Sequence, residues 1–306
     1  MKIQIKKNTQ PILNPDDYHG KYISIRNPGA AKLNEITYLL VTIRYSKDRK
    51  MRMHLAKSKN GKDFVLDETP FIDNDDESVA GVEDARVTKI NNEYFITFTA
   101  FNGHDKEDDI ITRIGIAKTK DFKTYSNRKV ILRKSGNNKN GVLFKSGEFF
   151  YIIHRPFGRK IKYPSAHIAR TKDLKNFEHL GKLLSTRQNK WDNARVGINT
   201  PPIKIKHKKF GECLFSIYHG ATIKDNIYQM GYILLDKDNP TKILERSDSP
   251  LISPTLDWEK IGEVNNVVFG CGLIPLSKNK ARFYYGGADK YIGFADLIFQ
   301  DAEIIE

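Results

Sequence analysis

The stretch Gly81–Arg86 places two carboxylates and a guanidinium close together, shortly before the strand-like run Glu93–Phe98. In an extended chain neighbouring side chains alternate between faces, so we expect Asp84 and Arg86 to point one way and Glu83 the other. A carboxylate held beside a guanidinium can act as an acid, accept hydrogen bonds from sugar hydroxyls, or form a plain ion pair. Taken alone, the motif favours the ion pair, and the rest of the chain shifts that balance.

The charge of the chain is compatible with anionic partners but does not identify one. Lysine and arginine number 51 against 37 aspartates and glutamates, a net charge of +14, which suits nucleic acid, an acidic membrane or phosphate. The basic residues are scattered, and the densest run, 204–209, is typical of a solvated hairpin end. Neither zinc-finger spacing nor an RNA-recognition signature occurs in the sequence. We therefore expect no nucleic-acid partner.

Cysteine usage and the first residues indicate a cytoplasmic protein. Cys213 and Cys271 lie in apolar strand-like runs without metal-ligand spacing, which predicts buried reduced thiols and no metal site. The start, Met1–Lys7, lacks the apolar segment of a secretory signal, and no window approaches the roughly 18 apolar residues of a membrane span. We expect no membrane partner, and a homo-oligomer is compatible with the sequence.

One pattern, a short aromatic strand followed by a polar loop and a second apolar strand, recurs five times. Its equivalent positions lie roughly 55 to 70 residues apart, a spacing that fits a four-stranded blade; they are Tyr38, Tyr94, Phe149, Leu214 and Phe283. Without helical periodicity between the copies, the sequence predicts an all-β fold, a five-bladed β-propeller. Because each blade needs its neighbours to bury both faces, we expect residues 1–306 to form one domain. The N-terminal segment should add a strand to the last blade.

The innermost strands of a propeller converge on a central channel, so polar residues repeated at equivalent inner positions would surround one pocket. The candidates, blade by blade, are Asn27 and Arg44; Asp84 and Arg86; Asn140, His154 and Arg155; Arg195 and His219; Asn266 and Asp289. We expect His154 to be structural, since it should face away from Arg155 in a strand. For His219, the core and pocket interpretations are equally supported by the residues alone.

With these motifs in order, the chain resembles glycoside hydrolase family 130, the mannoside phosphorylases and related β-mannosidases, which are five-bladed propellers. Gly81–Arg86 is similar to the family's Gly-Val-Glu-Asp-Pro-Arg motif, with Ala85 where proline is usual. Further similar segments follow in the third, fourth and fifth blades, among them Asn140–Phe144, His154–Pro156, Trp191–Asp192, Tyr218–Gly220 and Ala288–Asp289.

The resemblance implies a role for each matching residue. Asp84 matches the catalytic acid, which would protonate the leaving oxygen through the mannose 3-hydroxyl. The positions that match phosphate ligands are Asn140, Arg155, Arg195 and His219, with arginine at 195 where lysine is usual. The predicted substrate contacts are Asn27, Arg44, Glu83, Arg86 and Asp289, with a structural partner as the alternative role for Glu83.

The chemistry of phosphorolysis is consistent with these roles. An inverting phosphorylase needs an acid on one side of the glycosidic bond and a held phosphate on the other, and arginine forks with an imidazolium could hold that anion. An inverting hydrolase would instead need a carboxylate to activate water; Glu263 is a candidate, although a solvated loop is its more ordinary setting. The retained cations favour a β-mannoside phosphorylase with inorganic phosphate as co-substrate and no cofactor. A β-mannosidase and a non-catalytic sugar-binding propeller are the alternatives, and the linkage, β-1,2 or β-1,4, stays open.

Overall fold

The computed structural model of the chain describes residues 1–104, 110–133 and 136–305. These residues form strands joined by loops, with one 3-10 helix (Pro15–Tyr18) and one short α-helix, α1 (Asp257–Lys260). The predicted all-β class is therefore confirmed. None of the helices in these ranges is long or apolar enough to cross a membrane.

The strands form four hydrogen-bonded sheets, and the largest divides into two four-stranded antiparallel units that a single parallel bridge between Met51 and Gly81 joins. The resulting five units are the blades of the predicted five-bladed β-propeller. Blade 1 contains β2 (Tyr22–Leu33), β3 (Ile36–Tyr45), β4 (Met51–Ser58) and β5 (Val65–Ile72). Blade 2 contains β6 (Gly81–Ile90), β7 (Glu93–His104), β8 (Ile110–Thr119) and β9 (Ser126–Ile131). Blade 3 contains β10 (Asn138–Ser146), β11 (Phe149–Pro156), β12 (Ala166–Thr171) and β13 (Glu178–Leu184).

The two chain termini join blades 4 and 5, and blade 4 departs from the simple four-stranded plan. In blade 4 the inner strand is split into β14 (Arg195–Ile198) and β15 (Ile203–His207), and both pieces pair with β16 (Gly211–Ala221). The sheet continues outward with β17 (Tyr228–Asp236) and β18 (Ile243–Arg246). The C-terminal β22 (Ala302–Ile304) pairs with β15. Blade 5 contains β19 (Val268–Ser277), β20 (Lys280–Gly287), β21 (Tyr291–Phe299) and the N-terminal β1 (Ile3–Lys7). The predicted N-terminal strand is thus confirmed, whereas the C-terminal strand was not foreseen.

The sequences of the middle strands are nearly continuous apolar runs, because the blades stack on one another and cover both faces of these strands. Each blade packs against the next, and β19 of blade 5 contacts β2 of blade 1. In β7 seven consecutive residues, 94–100, are buried, so both faces of this strand are covered. The five equivalent aromatic or apolar positions predicted from the repeat all lie on the second strand of their blade. The two cysteines are buried and form no disulfide, as predicted.

The two tryptophans pack inside blades rather than lining a sugar site. Trp258 stacks on Tyr285 with ring centroids 5.4 Å apart, and Trp191 stacks on Tyr218 at 5.3 Å. A Cβ on Gly293 would lie 2.3 Å from the Trp258 ring, so glycine is required there to admit the indole. Both tryptophans are therefore packing anchors.

The innermost strands of blades 1, 2 and 3 each contain a β-bulge at the same level. The first residue of each bulge has a left-handed backbone conformation: φ is 50° at Asn27, 59° at Asp84 and 55° at Asn140. Asparagine and aspartate are the residues other than glycine that best tolerate this conformation. Because a bulge rotates the following side chains relative to the pleat, it re-aims them toward the propeller axis.

A buried ion pair fixes the N-terminal strand to the rest of blade 5. Lys7 Nζ lies 2.7 Å from Glu259 Oε2, and the side chain of Glu259 is fully buried. The same carboxylate accepts hydrogen bonds from the Tyr285 hydroxyl at 2.7 Å and from the backbone N–H of Thr255 at 2.7 Å. One carboxylate therefore joins β1, α1 and β20.

We expect Lys7→Met to lower the free energy of unfolding by about 3–5 kcal/mol, because it leaves the Glu259 carboxylate buried without a counter-ion. The midpoint of urea denaturation measures the loss. The double variant Lys7→Met/Glu259→Gln also removes the uncompensated charge and should recover part of the stability. A Lys7→Met protein as stable as the parent would contradict the role given to this pair.

Candidate functional site

The innermost strands, the ends of β11, β16 and β17 and the neighbouring loops line a cavity of about 250 Å³, here called the axial cavity, to which all five blades contribute. Seven of the ten predicted site residues line it: Asn27, Glu83, Asp84, Asn140, Arg155, His219 and Asp289. The other lining residues were not predicted: Lys139, Asn226, Tyr228, Val264, Val267 and Phe269. The structure thus brings one acidic and one basic group of predicted residues into a shared space.

Glu83 and Asp84 face the same cavity, contrary to the alternation expected for an extended strand. The physical reason is the bulge in β6, where the register with β7 shifts between Glu83 and Arg86. Two successive side chains can then point to the same side. The expectation that Glu83 points away from Asp84 was therefore wrong, whereas Arg86 Nη1 lies 3.9 Å from Asp84 Oδ2, as expected for two side chains that point the same way.

Asp84 is held at its backbone and at its side chain. Its N–H donates to Thr42 Oγ1 at 2.9 Å, and its Oδ1 accepts from Asn27 Nδ2 at 2.9 Å. Arg86 Nη1 donates to the Asp84 carbonyl oxygen at 2.5 Å. These contacts offset the energetic cost of the left-handed backbone at Asp84, which is almost fully buried. They also hold its carboxylate in one orientation.

Arg86 and Arg44 do not form part of the cavity wall. The Arg86 side chain is fully buried; its Nη1 donates to the Asp84 carbonyl oxygen and lies 3.9 Å from the Asp84 carboxylate, so the two residues form the ion pair that the motif alone favoured. The Arg44 guanidinium forms an ion pair with Glu263 instead of lining the cavity. The structure therefore does not bring these two arginines into the position expected of sugar contacts.

The acidic side of the site is organised by Arg26, a residue that the sequence analysis missed. Its guanidinium lies 3.4 Å from Glu83, 3.2 Å from Glu263 and 3.8 Å from Asp289. Burial opposes the charge of Arg26, but the surrounding carboxylates raise its pKa above the ordinary value. Glu263 lies in a loop, as expected, but its carboxylate is ion-paired to two arginines and its side chain is only 17% exposed.

Burial makes protonation easier for two carboxyl groups in the axial cavity. Burial and the nearby Asp84 raise the pKa of Glu83 to about 7, although Lys139 Nζ lies 3.8 Å from its Oε1. Burial likewise raises the pKa of Asp289. Glu83 can therefore offer both a donor and an acceptor to hydroxyl groups near neutral pH.

The basic side of the site is a hydrogen-bonded relay. Arg155 Nη1 donates to His219 Nε2 at 2.6 Å, so Nδ1 carries the ring proton and donates to Asn199 Oδ1 at 2.6 Å. Asn199 Nδ2 in turn donates to the carbonyl oxygen of Gly270 at 2.9 Å. Each donor in this relay meets an acceptor, and the relay fixes the direction of the guanidinium.

The relay also settles the charge of the imidazole. Burial, together with the neighbouring Arg155, lowers the pKa of His219 well below its usual range, so the ring is neutral. Burial lowers the pKa of Arg155 to about 10, which leaves it charged at neutral pH. The expected imidazolium is therefore wrong for this arrangement, and Arg155 provides the positive charge. A Cβ on Gly197 would lie 2.6 Å from the ring, so glycine is needed there.

Arg195 lies in a second cavity of about 760 Å³ beside the axial one, here called the lateral cavity. The two cavities share Lys139, Arg155 and Tyr228 as common wall. Arg195 Nη1 donates to the Tyr228 hydroxyl at 2.8 Å. His154 belongs to neither cavity and bonds to Asn138 through Nδ1, in agreement with the structural role expected for it.

A sequence signal could have revealed two of the missed residues. Arg26 and Lys139 each directly precede a left-handed asparagine, just as Glu83 precedes Asp84. A charged residue followed by Asn or Asp and then by a small residue or proline therefore marks the bulge in three blades. Tyr228 and Asn199 carry no comparable signal, because their placement depends on pairing between distant strands.

Comparison with known proteins shows similarity along nearly the whole chain. A family model described as beta-1,4-mannooligosaccharide phosphorylase matches residues 4–305. A 1,2-beta-oligomannan phosphorylase of Thermoanaerobacter sp. (strain X514) is 36% identical over 82% of this chain and 79% of the relative. A beta-1,2-mannobiose phosphorylase of Listeria innocua is 35% identical over 87% of this chain and 70% of the relative. The solved complex of beta-1,2-mannobiose phosphorylase from Listeria innocua with beta-1,2-mannobiose has a TM-score of 0.80, with 28% identity and 97% of both chains covered.

We expect Glu83→Gln to stabilise the protein at pH 8 and to have little effect at pH 5. The folded state binds a proton on Glu83 more tightly than the unfolded state does, so its contribution to stability is present at low pH and is lost as pH rises through about 7. Glutamine mimics the protonated form at every pH. The gain at pH 8 should be about 2 kcal/mol, which is roughly 3 °C in Tm for a chain of this length.

Thermal unfolding of parent and variant across this pH range tests the expectation. The measurement at pH 5 is the internal control, because there the parent side chain is already protonated. A difference in Tm that stays constant or shrinks as pH rises would contradict it.

Proposed function

The chain belongs to glycoside hydrolase family 130 and is an enzyme of the mannoside phosphorylase kind, and we propose that it is an inverting β-1,2-mannoside phosphorylase. It would use inorganic phosphate to cleave the β-mannosidic bond and release α-mannose 1-phosphate with the shortened acceptor. We assign the β-1,2 linkage because the three relatives at 34–36% identity are named for β-1,2-mannosides. The relative from Ruminococcus albus that is named for β-1,4-mannooligosaccharides is only 28% identical.

One observation carries the proposal: the axial cavity holds an oriented carboxylic acid and a buried guanidinium at the same time. Asp84 is fixed by Thr42 and Asn27, and Arg155 is fixed by His219. Inverting phosphorolysis needs an acid for the leaving oxygen and a positively charged support for the attacking phosphate. Positioning both groups before the reactants arrive is the main catalytic contribution that such a reaction requires.

In this mechanism the mannosyl unit lies against Glu83 and Asp289, and phosphate lies against Asn140 and Arg155. A phosphate oxygen forms a bond to C1 while the bond from C1 to the acceptor oxygen breaks. Asp84 supplies the proton that the leaving oxygen gains, passed through the mannose 3-hydroxyl, and afterwards recovers a proton from solvent. The attack occurs on the face opposite the leaving group, which inverts the configuration at C1.

The surroundings of Glu263 favour phosphorolysis over hydrolysis. An inverting hydrolase needs a carboxylate that is free to take a proton from water. Glu263, the candidate for that role, is held by Arg26 and Arg44 and does not line the axial cavity. A phosphate oxygen is nucleophilic without such a base, so the cations around Arg155 are sufficient.

The first test measures the products from β-1,2-mannobiose with and without inorganic phosphate. We expect α-mannose 1-phosphate to accumulate only when phosphate is present, and little free mannose to appear without it. Equal cleavage without phosphate, with mannose as the product, would instead identify a β-mannosidase. Binding of mannobiose without turnover would identify a sugar-binding propeller.

We expect Asp84→Asn to lower kcat by about 10²–10⁴-fold, the usual contribution of a general acid. Asparagine keeps the size of the side chain and the oxygen that accepts from Asn27, so the fold should be retained. Circular dichroism and Tm provide the folding control. A variant with the activity of the parent would exclude Asp84 as the acid.

Thr42→Val tests whether the backbone contact of Asp84 matters for turnover. The variant removes the acceptor of the Asp84 N–H without touching the cavity wall, and we expect kcat to fall roughly tenfold, the effect of losing about 1–2 kcal/mol from one buried hydrogen bond. Thr37→Val in the same strand is the matched control, because Thr37 is buried but does not contact Asp84. Equal effects of the two variants on kcat would contradict the positioning role.

A further inference from the structure

A loop of blade 5, residues 261–267 and here called the support loop, lies against the acidic side of the axial cavity. Two of its residues, Val264 and Val267, line that cavity. The Val264 N–H donates to the carbonyl oxygen of Ala288 at 3.1 Å, and the Ala288 N–H donates to the carbonyl oxygen of Val267 at 2.9 Å. The support loop is therefore attached at two points to the turn that contains Asp289.

The turn that contains Asp289 has a strained backbone, and the support loop holds it in place. Ala288 and Asp289 are successive left-handed residues, with φ of 48° and 51°. Alanine does not favour this conformation, so the surrounding structure must maintain it. A Cβ on Gly262 would lie 2.4 Å from the Ala288 carbonyl oxygen, so the close approach of the loop requires glycine. The support loop thereby fixes the direction in which Asp289 lines the cavity.

Glu263 connects the support loop to blade 1 and, through it, to the acidic side of the site. Its carboxylate pairs with Arg44 and lies 3.2 Å from Arg26 Nη1. The same Arg26 guanidinium lies 3.4 Å from Glu83 Oε2 and 3.8 Å from Asp289 Oδ2. Glu263 does not line the axial cavity. It nevertheless shares one buried guanidinium with two carboxyl groups that do.

The sharing of Arg26 affects the protonation of both carboxyl groups. A guanidinium favours the ionised form of the carboxylates beside it. Burial and Asp84 raise the pKa of Glu83, and part of the Arg26 charge that opposes this rise is taken up by Glu263. The charge of Glu263 also contributes to the raised pKa of Asp289, after burial as the main cause. A protonated carboxyl group can donate to a sugar hydroxyl, whereas an ionised one can only accept.

We propose that Glu263 is a positioning residue of the mannoside site and acts through Arg26 on Glu83 and Asp289. This inference rests on the proposed function. Glu263 fixes the direction of the Arg26 guanidinium by a charge-assisted contact. It also limits the hold of Arg26 on Glu83, so that Glu83 can donate to a mannose hydroxyl. The backbone contacts of the support loop direct Asp289 toward the same sugar.

The test variant is Glu263→Gln, which keeps the size of the side chain, and Asp257→Asn is its matched control. Asp257 is exposed at the start of α1, does not line the axial cavity, and gives the same change in net charge. At pH 7 with saturating phosphate, we expect Glu263→Gln to raise the KM for β-1,2-mannobiose roughly three- to tenfold, the effect of one lost hydrogen bond to the sugar. The KM for phosphate should not change, because phosphate lies on the basic side. Equal effects of the two variants, or an equal rise in both KM values, would overturn the inference.

A titration of Glu83 without substrate separates this inference from the proposed function. Carbon-13 NMR of labelled glutamate side chains follows its protonation, and the loss of one signal in Glu83→Gln assigns it. The charged groups that act on Glu83 all remain in place in Glu263→Gln; they are Asp84, Lys139, Arg26 and Asp289. We expect the pKa of Glu83, about 7 in the parent, to fall by about one unit in Glu263→Gln, because Arg26 then serves only the remaining carboxylates.

The pKa of Glu83 should stay unchanged in Asp257→Asn, and the Tm of both variants provides the folding control. A lower pKa in Glu263→Gln alone supports the positioning role, even if mannobiose cleavage were found not to require phosphate. An unchanged or higher pKa overturns that role, even if the enzyme is a phosphorylase.

Discussion

The left-handed bulge at Asp84 is the constraint on which the rest of the site depends. A regular strand would direct Glu83 and Asp84 to opposite faces and bury one of them in the blade. The bulge instead directs both to the axis, and contacts from Thr42 and Arg86 hold the conformation. Because the same device recurs at Asn27 and Asn140, three blades present polar side chains at one level of the channel. The site is therefore a property of the repeat and not of one motif.

Separation of charge within the axial cavity follows from the cost of burial. Buried carboxylates need cations or protons, and Arg26 serves three of them on the acidic side. A buried cation likewise needs acceptors, and the neutral ring of His219 provides one for Arg155 without cancelling its charge. An acidic group at that place would neutralise the guanidinium and weaken its attraction for phosphate. The relay through Asn199 thus preserves positive charge where the proposed reaction needs it.

The sequence predicted the five blades, the N-terminal strand and most of the residues around the cavity, because these depend on repeats that a single chain displays. It failed where distant strands decide the geometry. Alternation assigned Glu83 to the wrong face, since a bulge is not visible in an apolar pattern. The predicted positive charge of His219 was also wrong, because burial beside Arg155 lowers the pKa of the ring. Arg26 could have been found by aligning the charged residues that precede Asn27, Asp84 and Asn140.

The arginine at position 195, where the family usually has lysine, fits its surroundings through shape as well as charge. The planar guanidinium lies over the Tyr228 ring at 5.5 Å and donates to its hydroxyl, which a lysine ammonium could not do in the same pose. Tyr228 in turn lies against the ring of His219, with centroids 5.9 Å apart. Arg195 is therefore linked through two rings to Arg155, the cation at the reaction centre. A change at this outer position therefore reaches the inner cation by packing.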